Sequence, residues 1–200
     1  MRIILIGAPG AGKGTQSHLL ARALNIPHIS TGDLFRCHIA KGSTLGKAVK
    51  SYIDVGELVP GVVTERVVAE RLSHDDATGG FILDGFPRTY DQACVLDSIL
   101  ACRGDKIDHV IELALGNTEL RSRLLARGRS DDTDEVIRHR LNEYETERNT
   151  ILEHYGPIVT TLDAFGTVDE ISARLLSTLG PRVHQTQACT AHVRARLGLV

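Results

Sequence analysis

MRIILIGAPGAGKGTQ, at residues 1–16, joins an apolar run directly to a glycine-rich loop. The run RIILI does not alternate with polar residues, which is typical of a strand covered on both faces in a parallel sheet. GAPGAGKG at 7–14 then matches the phosphate-binding pattern G-x-x-x-x-G-K, and a helical pattern follows it. The stretch therefore predicts a strand, a phosphate-binding loop and a helix in succession.

The composition of this loop suits a phosphate group. Glycines have no Cβ, so consecutive backbone N–H groups can point inward and form an anion nest. The following helix adds its unsatisfied N-terminal donors, and Lys13 supplies positive charge to the outer phosphates. A glycine-rich turn with an incidental lysine is the alternative, and the strand and helix on either side argue against it.

Four further apolar runs follow the first, and segments of helical period separate them. The runs lie at 2–6, 26–30, 80–84, 108–115 and 158–164. The helical patterns lie at 13–24, 31–73, 89–103, 117–154 and 168–179. This alternation predicts an α/β fold with a doubly wound, five-stranded parallel sheet. Ligands of such folds bind beyond the carboxyl ends of the strands.

Two of the helical segments are too long to be simple crossovers. The segment 31–73 divides into several short patterns, which indicates an inserted helical subdomain. The segment 117–154 has a polar break at 128–134, which predicts two helices. The expected breaks in the first segment are at Gly42, Gly46, Gly56 and Pro60.

Composition limits the class of protein. With 200 residues, 42% of them hydrophobic, and a net charge of −2, the chain fits one globular domain without a nucleic-acid surface spread over it. No stretch is apolar enough to span a bilayer, and the strand pattern directly after Met1 leaves no room for a signal peptide. The four cysteines contain no CxxC pair, so we expect reduced thiols, a cytoplasmic location and no zinc site. We interpret residues 181–200 as a mobile tail, with a terminal helix at 190–197 as the alternative.

The motif STGDLFR at 30–36 follows the second predicted strand. Ser30 or Thr31 is a suitable helix N-cap, and Arg36 would lie on the first turns of that helix, near the ligand edge of the sheet. A capped helix with a solvated arginine explains the same letters, and the residues alone leave both interpretations open.

The motif LDGFPRT at 83–89 follows the third predicted strand. Asp84 stands at the carboxyl end of this strand, where a carboxylate can serve Mg²⁺ or its water shell. Arg88 directs a bidentate donor into the same crevice. The alternative for Asp84 is a turn-forming aspartate before glycine.

Arginines are concentrated in the last third of the chain. Arg123 and Arg127 are four positions apart and share one helix face. Arg138 and Arg140 diverge by about 200° on a helix, so at most one of them faces a site. The apolar stripe of this helix passes closer to Arg140, which predicts that Arg140 faces inward. A solvated pair of helices joined by salt bridges is the alternative.

The loop has a further peculiarity, since Gly14 follows the lysine and the hydroxyl is displaced to Thr15. In this variant, together with STGDLFR, LDGFPRT and the arginine cluster in the same order, the chain resembles the adenylate kinases among the nucleoside monophosphate kinases. The resemblance covers residues 1 to about 180. It implies a P-loop kinase that transfers the terminal phosphoryl group of MgATP reversibly to AMP, giving two ADP, for adenine nucleotide homeostasis.

The resemblance also implies roles for individual residues. ATP is bound by Gly10, Ala11, Gly12, Lys13, Gly14, Thr15, Arg123, Arg127 and Gly166. AMP is bound by Thr31, Arg36, Glu57, Leu58, Val59, Gly85, Phe86, Pro87, Arg88, Gln92, Arg129 and Arg140. The catalytic residues are Lys13, Arg88, Arg129 and Arg140, and Asp84 is the candidate for the water shell of Mg²⁺.

The implied domain is 1–180, with an NMP-binding subdomain at about 30–59 and a short lid at about 126–132. A lid this short implies no structural zinc, and the nine histidines fall in no metal-ligand spacing. Gly61 stands where the family usually has aspartate, which predicts a weaker helix cap where the chain leaves the subdomain. The expected partners are ATP, AMP and ADP, without nucleic acid or membrane, and we expect a monomer.

Two alternatives of function remain open at this point. One is a sister kinase that prefers UMP or CMP as acceptor or GTP as donor, against which Thr31 before Gly32 argues by resemblance. The other is a P-loop regulatory protein that binds nucleotide without transferring phosphate. Arg36 and Arg88 argue against this second alternative, because a simple ATP binder needs no acceptor-side arginines.

Overall fold

Five parallel strands form one sheet in the computed structural model, which describes residues 1–128 and 133–180. They are β1 (Arg2–Gly7), β2 (His28–Ser30), β3 (Phe81–Asp84), β4 (His109–Ala114) and β5 (Val159–Asp163). Their spatial order is β2-β3-β1-β4-β5, and every pairing is parallel. The predicted five-stranded α/β fold is confirmed.

Eight α-helices connect these strands within the described residues. They are α1 (Lys13–Leu24), α2 (Thr31–Ala40), α3 (Thr44–Val55), α4 (Gly61–Leu72), α5 (Tyr90–Ala101), α6 (Asn117–Arg127), α7 (Asp134–Tyr155) and α8 (Val168–Thr178). None of them is long and apolar enough to cross a membrane. The interpretations of 181–200 and of the helix at 190–197 lie outside the described residues.

The central strand β1 is covered on both faces, as its continuous apolar run predicts. Ile3 and Leu5 pack into one buried cluster, together with side chains of α1 and α8. Ile4, which points to the opposite face, packs into a second cluster with residues of α4 and α5. The alternation of side chains along a strand thus lets one run of apolar residues build both layers of the core.

The segment between β2 and β3 folds as three helices with a small core of their own, in which Phe35, Val49 and Val59 are buried. The expectation of a break at Gly46 is wrong, because Gly46 lies inside α3. A Cβ at this position would lie 2.1 Å from the carbonyl oxygen of His38, so the glycine allows α2 and α3 to approach closely. The break comes before α3 instead, where Ser43 caps the helix.

The sequence left the N-terminal caps of α2 and α4 open, and the structure shows both. Ser30, and not Thr31, caps α2, since its Oγ accepts a hydrogen bond from the backbone N–H of Asp33 at 3.3 Å. α4 begins at Gly61 after Pro60 without a side-chain cap hydrogen bond, in agreement with the weaker cap expected there.

A buried carboxylate in the sheet was not recognised in the sequence, where Glu112 appeared as part of an apolar strand. It is only 1% exposed. It accepts hydrogen bonds from Tyr144 Oη (3.0 Å), Arg148 Nη2 (2.8 Å) and Thr161 Oγ1 (2.9 Å). Burial acts to raise the pKa of this carboxyl, but the hydrogen bonds from Arg148, Thr161 and Tyr144 outweigh it and hold the pKa below its ordinary value.

We predict that Glu112→Gln lowers the free energy of unfolding by about 1–3 kcal/mol near neutral pH, because Arg148 loses its charged partner while remaining partly screened by solvent. A lowered folded-state pKa stabilises the fold above the unfolded value of about 4.3, and this contribution disappears as the pH falls through the folded value. The difference between variant and wild type should therefore shrink in acid. Urea unfolding at neutral and acidic pH measures it.

The matched control is Glu153→Gln, which changes an exposed glutamate on α7. It should leave the free energy of unfolding within about 0.5 kcal/mol of the wild type. A loss for Glu112→Gln that is the same at both pH values would contradict the role of the carboxylate charge.

Candidate active site

The loop between β1 and α1 closes around the ammonium group of Lys13. Its Nζ donates to the carbonyl oxygens of Gly7 at 2.6 Å and Ala8 at 3.0 Å. The loop is also pressed against α6, since Gly10 has a φ of +89° and a Cβ there would lie 2.7 Å from the carbonyl oxygen of Leu120. The loop thus presents the positive end of α1 and one lysine to the same space, which is an arrangement for binding phosphate.

Asp84 lies beside this loop, at the carboxyl end of the neighbouring strand β3. It is 8% exposed, and its Oδ2 lies 3.8 Å from the position of a Cβ at Gly14. Burial acts to raise the pKa of the Asp84 carboxyl, but His28, Lys13 and Arg88 together hold it below its ordinary value. The carboxylate is therefore ionised at neutral pH. The contact at Gly14 is an ordinary one, so space alone does not require glycine there.

Two further arginines lie near Arg88, which is itself close to Asp84. Arg36 and Arg140 both interact electrostatically with the guanidinium of Arg88, and so does the carboxylate of Asp84. Arg88 Nε donates to the carbonyl oxygen of Gly85 at 3.0 Å. Like charges repel, so the approach of Arg36 and Arg140 to Arg88 marks a place where negative charge is stabilised.

Each of the other two arginines of this group is held by a neighbour. Arg36 Nη2 donates to Asp33 Oδ1 at 2.6 Å, one turn earlier on α2. Arg140 Nη2 donates to the carbonyl oxygen of Ile53 at 3.2 Å, which joins α7 to α3. Arg140 lines the cavity beside the loop, whereas Arg138 is exposed, and this is the orientation that the helical spacing predicts.

Two cavities adjoin these charges. The first lies between the loop and α7, and the second lies between the inserted helices and the end of β3. Leu58, Gly85 and Arg88 line both cavities, so the two spaces meet at Arg88. Among the residues expected to bind AMP, the second cavity is lined by Thr31, Glu57, Leu58, Val59, Gly85, Arg88 and Gln92.

Some residues of the expected acceptor site are placed differently. Pro87 lines the first cavity. Phe86 is 1% exposed and packs into the core cluster of α4 and α5. Arg36 reaches the rim of the second cavity, because its Nη2 lies 2.8 Å from the position of a Cβ at Gly32, which lines that cavity.

The expected donor-base residues lie on the other side of the loop. Nη1 of Arg123 lies 4.0 Å from the position of a Cβ at Gly12, and its Nε donates to Glu119 at 2.8 Å. Gly166 is in the turn before α8, and Gln16 Nε2 joins α1 to this region by donating to the carbonyl oxygen of Val168 at 2.9 Å. Arg129 and the side chain of Arg127 lie outside what the structure describes.

The sequence analysis missed several side chains around the cavities. Tyr144 and Arg148 line the first cavity, and Phe35 and Thr64 line the second. Tyr144 appeared only as part of the apolar stripe of α7. His28 was given no role, although its Nε2 lies 3.5 Å from Asp84 Oδ2. Its position inside a predicted strand that ends at the ligand edge was the available signal.

Comparison with known proteins gives one consistent family. The family model described as adenylate kinase matches residues 5–158. The adenylate kinase of Mycobacteroides abscessus is 52% identical over 180 residues, which are 90% of this chain and 99% of that protein. The adenylate kinases of Corynebacterium aurimucosum and Mycolicibacterium smegmatis are each 51% identical over the same shares of the two chains.

We predict that Gly85→Ala destabilises the turn that carries Arg88. Gly85 has a φ of +81°, and a Cβ there would lie 2.8 Å from Oγ1 of Thr31, which donates to the carbonyl oxygen of Gly85 at 3.0 Å. The left-handed conformation alone costs an alanine about 1–2 kcal/mol. The free energy of unfolding in urea should fall by at least this amount.

Gly79→Ala is the control, because no described atom lies within 4 Å of a Cβ there and its φ is not in the left-handed region. It should unfold at the same urea concentration as the wild type or at a slightly higher one. Equal stability of the two variants would show that the turn at Gly85 accepts a side chain.

Proposed function

The chain belongs to the adenylate kinase family, and on this basis we propose that it catalyses the reversible transfer of the terminal phosphoryl group from ATP to AMP, giving two ADP. The observation that carries the proposal is the pair of cavities that meet at Arg88. The first is lined by Gly7, Pro9 and Lys13 of the phosphate-binding loop and suits the donor. The second is lined by seven of the twelve residues expected to hold AMP.

In this proposal, ATP would bind on the loop side. Residues from Gly10 to Thr15 and the positive end of α1 would hold the phosphates of ATP, and Lys13 would neutralise the outer ones. Arg123, next to Gly12, would lie against the adenine, with Arg127 and Gly166 near it. On the acceptor side, Arg36 and Arg88 would hold the phosphate of AMP.

For this reaction the protein has mainly to align the two nucleotides and to stabilise negative charge. The phosphate of AMP is itself the nucleophile, so no general base is needed. Arg88 lies where the two cavities meet, and Lys13 and Arg140 line the first cavity. These three residues would stabilise the negative charge that spreads over the transferred group. Arg129, outside the described residues, is proposed for the same role. Binding of both substrates in adjoining cavities provides the proximity that transfer requires.

Magnesium is the proposed cofactor, bound together with ATP, and the residues present fit it. Asp84 is an ionised carboxylate at the edge of the phosphate site, which suits the water shell of Mg²⁺. When bound, the ion supplies positive charge to the phosphate oxygens. We propose that the short lid needs no structural zinc.

Water competes with AMP for the phosphoryl group, so the site must exclude it. We propose that the inserted helices at about 30–59 and the short lid at about 126–132 close over the bound nucleotides, within a domain of residues 1–180. We further propose a cytoplasmic monomer that acts on free nucleotides and uses no membrane or nucleic acid.

Product analysis tests the proposed function. The protein and MgATP are incubated separately with AMP, GMP, UMP and CMP, and the products are separated by chromatography. We expect rapid formation of ADP from AMP and slow reaction of the other three. Faster turnover of another monophosphate would make the chain a sister kinase and would first question Thr31, whereas ATP binding without transfer would overturn the proposed activity.

The neighbouring arginines of α7 provide a matched test of the site. Arg140→Ala should reduce kcat by at least about 100-fold, a loss of the size seen when one donor to a transition state is removed. Arg138→Ala removes the same charge two positions away on the exposed face and should change kcat less than about twofold. Steady-state kinetics with MgATP and AMP measure both, and similar losses in the two variants would contradict the inward role of Arg140.

A further inference from the structure

A cluster of two histidines and an aspartate lies where α1, β2 and α2 meet, and the proposed reaction does not use it. His18, His28 and Asp33 each bring one potential ligand atom within 4.8 Å of the others. The rings of His18 and His28 lie with their centroids 4.6 Å apart, edge to face. No sequence spacing reveals this group, because the three residues come from three different elements.

The buried member of the cluster has an unsatisfied ring nitrogen. The side chain of His28 is only 7% exposed, and its Nε2 has no hydrogen-bond partner among the described residues. A buried polar atom without a partner is unfavourable, so an ion that binds the other ring nitrogen, Nδ1, and turns Nε2 toward a carboxylate is stabilising. Nε2 lies 3.5 Å from Oδ2 of Asp84. Histidines that bind a metal usually donate their second ring N–H to a carboxylate, and Asp84 is in place to accept it.

We propose that His18, His28 and Asp33 bind a divalent transition metal ion of the zinc type. Two imidazoles and one carboxylate form a three-ligand set that zinc accepts with water in the fourth position. Imidazole favours zinc, copper or nickel, whereas Mg²⁺ prefers oxygen ligands. The ion is therefore different in kind from the magnesium that accompanies ATP, and it lies outside the lid.

Binding requires a small contraction of the cluster. Ligand atoms lie about 2.0–2.2 Å from a zinc ion, so they must approach each other more closely than 4.8 Å. His18 and Asp33 are exposed and can rotate toward His28, which stays fixed by its burial. The two carboxylates nearby, Asp33 as a ligand and Asp84 behind His28, balance the charge of the ion.

The site is coupled to the acceptor side through Asp33. This carboxylate accepts the hydrogen bond from Arg36 Nη2 at 2.6 Å, so an ion bound to it competes with Arg36. The ion also orients His28 against Asp84. On the basis of the proposed function, in which Arg36 holds AMP, a bound zinc ion changes the KM for AMP.

Titration of the full chain with Co²⁺ tests the site, because this ion substitutes for zinc and gains visible absorption when nitrogen and oxygen ligands hold it. We expect Zn²⁺ to displace it and Mg²⁺ not to do so. His18→Gln should weaken binding at least about tenfold, since even residues behind the ligands change metal affinity by 10–100-fold. Glutamine keeps the helix propensity of α1, so the variant should fold.

His74→Gln is the control, since His74 is an exposed histidine outside the cluster. It should bind Co²⁺ like the wild type. Equal affinity of the wild type and His18→Gln, or an equal loss in both variants, would overturn the proposed site. The titration contains no nucleotide, so its result is independent of whether the chain phosphorylates AMP.

The coupling is measured separately, as the KM for AMP with and without Zn²⁺ at saturating MgATP. Zn²⁺ should change this constant in the wild type and in His74→Gln, and at least about tenfold more Zn²⁺ should be needed in His18→Gln. An identical Zn²⁺ response in all three proteins would overturn the link between the cluster and the acceptor side.

Discussion

The parallel pairing of β1 with β3 is the constraint on which the site depends. Its register places Leu5 opposite Asp84, so the loop that follows β1 and the carboxylate that ends β3 emerge at one edge of the sheet. Lys13 and Asp84 interact there although they are far apart in the sequence. In an antiparallel pairing, the carboxyl ends of the two strands would lie at opposite edges of the sheet. The phosphate loop and its carboxylate can therefore adjoin only because both strands run in the same direction.

The same edge brings several positive charges together. Lys13, Arg88 and Arg140 line the first cavity together with Glu143 and Glu147, and Asp84 acts on Lys13 and Arg88. Backbone carbonyl groups also accept hydrogen bonds from these cations, at Gly7 and Ala8 for the lysine and at Gly85 and Ile53 for the two arginines. The dipoles of these carbonyl groups hold the cations in position and offset part of the repulsion between them. Cations that are already held in place suit a negatively charged ligand such as a phosphate group.

Local patterns predicted the fold because its central strands β1, β3 and β4 are mostly buried. An uninterrupted apolar run such as that of β1 indicates by itself that both faces of the strand are buried. The cap at Ser30 likewise depends only on residues next to it in the sequence. The features that were missed depend on residues far away in the sequence. Gly46 is required by the backbone of α2, and the partners of Glu112 come from α7 and β5. Nothing adjacent to these residues marks them.

The candidate site divides in the same way. The motifs predicted which residues would surround phosphate, since a glycine-rich loop and a bidentate arginine donor have a chemistry that the sequence alone reveals. Their relation to each other came only from the fold: that two cavities share Gly85 and Arg88, and that His28 lies against Asp84. The spacing argument for Arg140 was sufficient because it needed only the geometry of one helix.

Arg140 also connects the two halves of the site mechanically. It donates to Ile53 at the end of α3, and the close approach of the next turn to α7 depends on Gly56, where φ is +83° and a Cβ would lie 2.8 Å from Cγ1 of Val136. A guanidinium has five N–H donors, so one group can hold this carbonyl and a phosphate oxygen together. In the proposed function, anchoring Arg140 on α3 would reduce the entropy that it loses when phosphate binds, and phosphate would in turn order the residue that holds α3 on α7. Phosphate binding and docking of the inserted helices would therefore reinforce each other through Arg140.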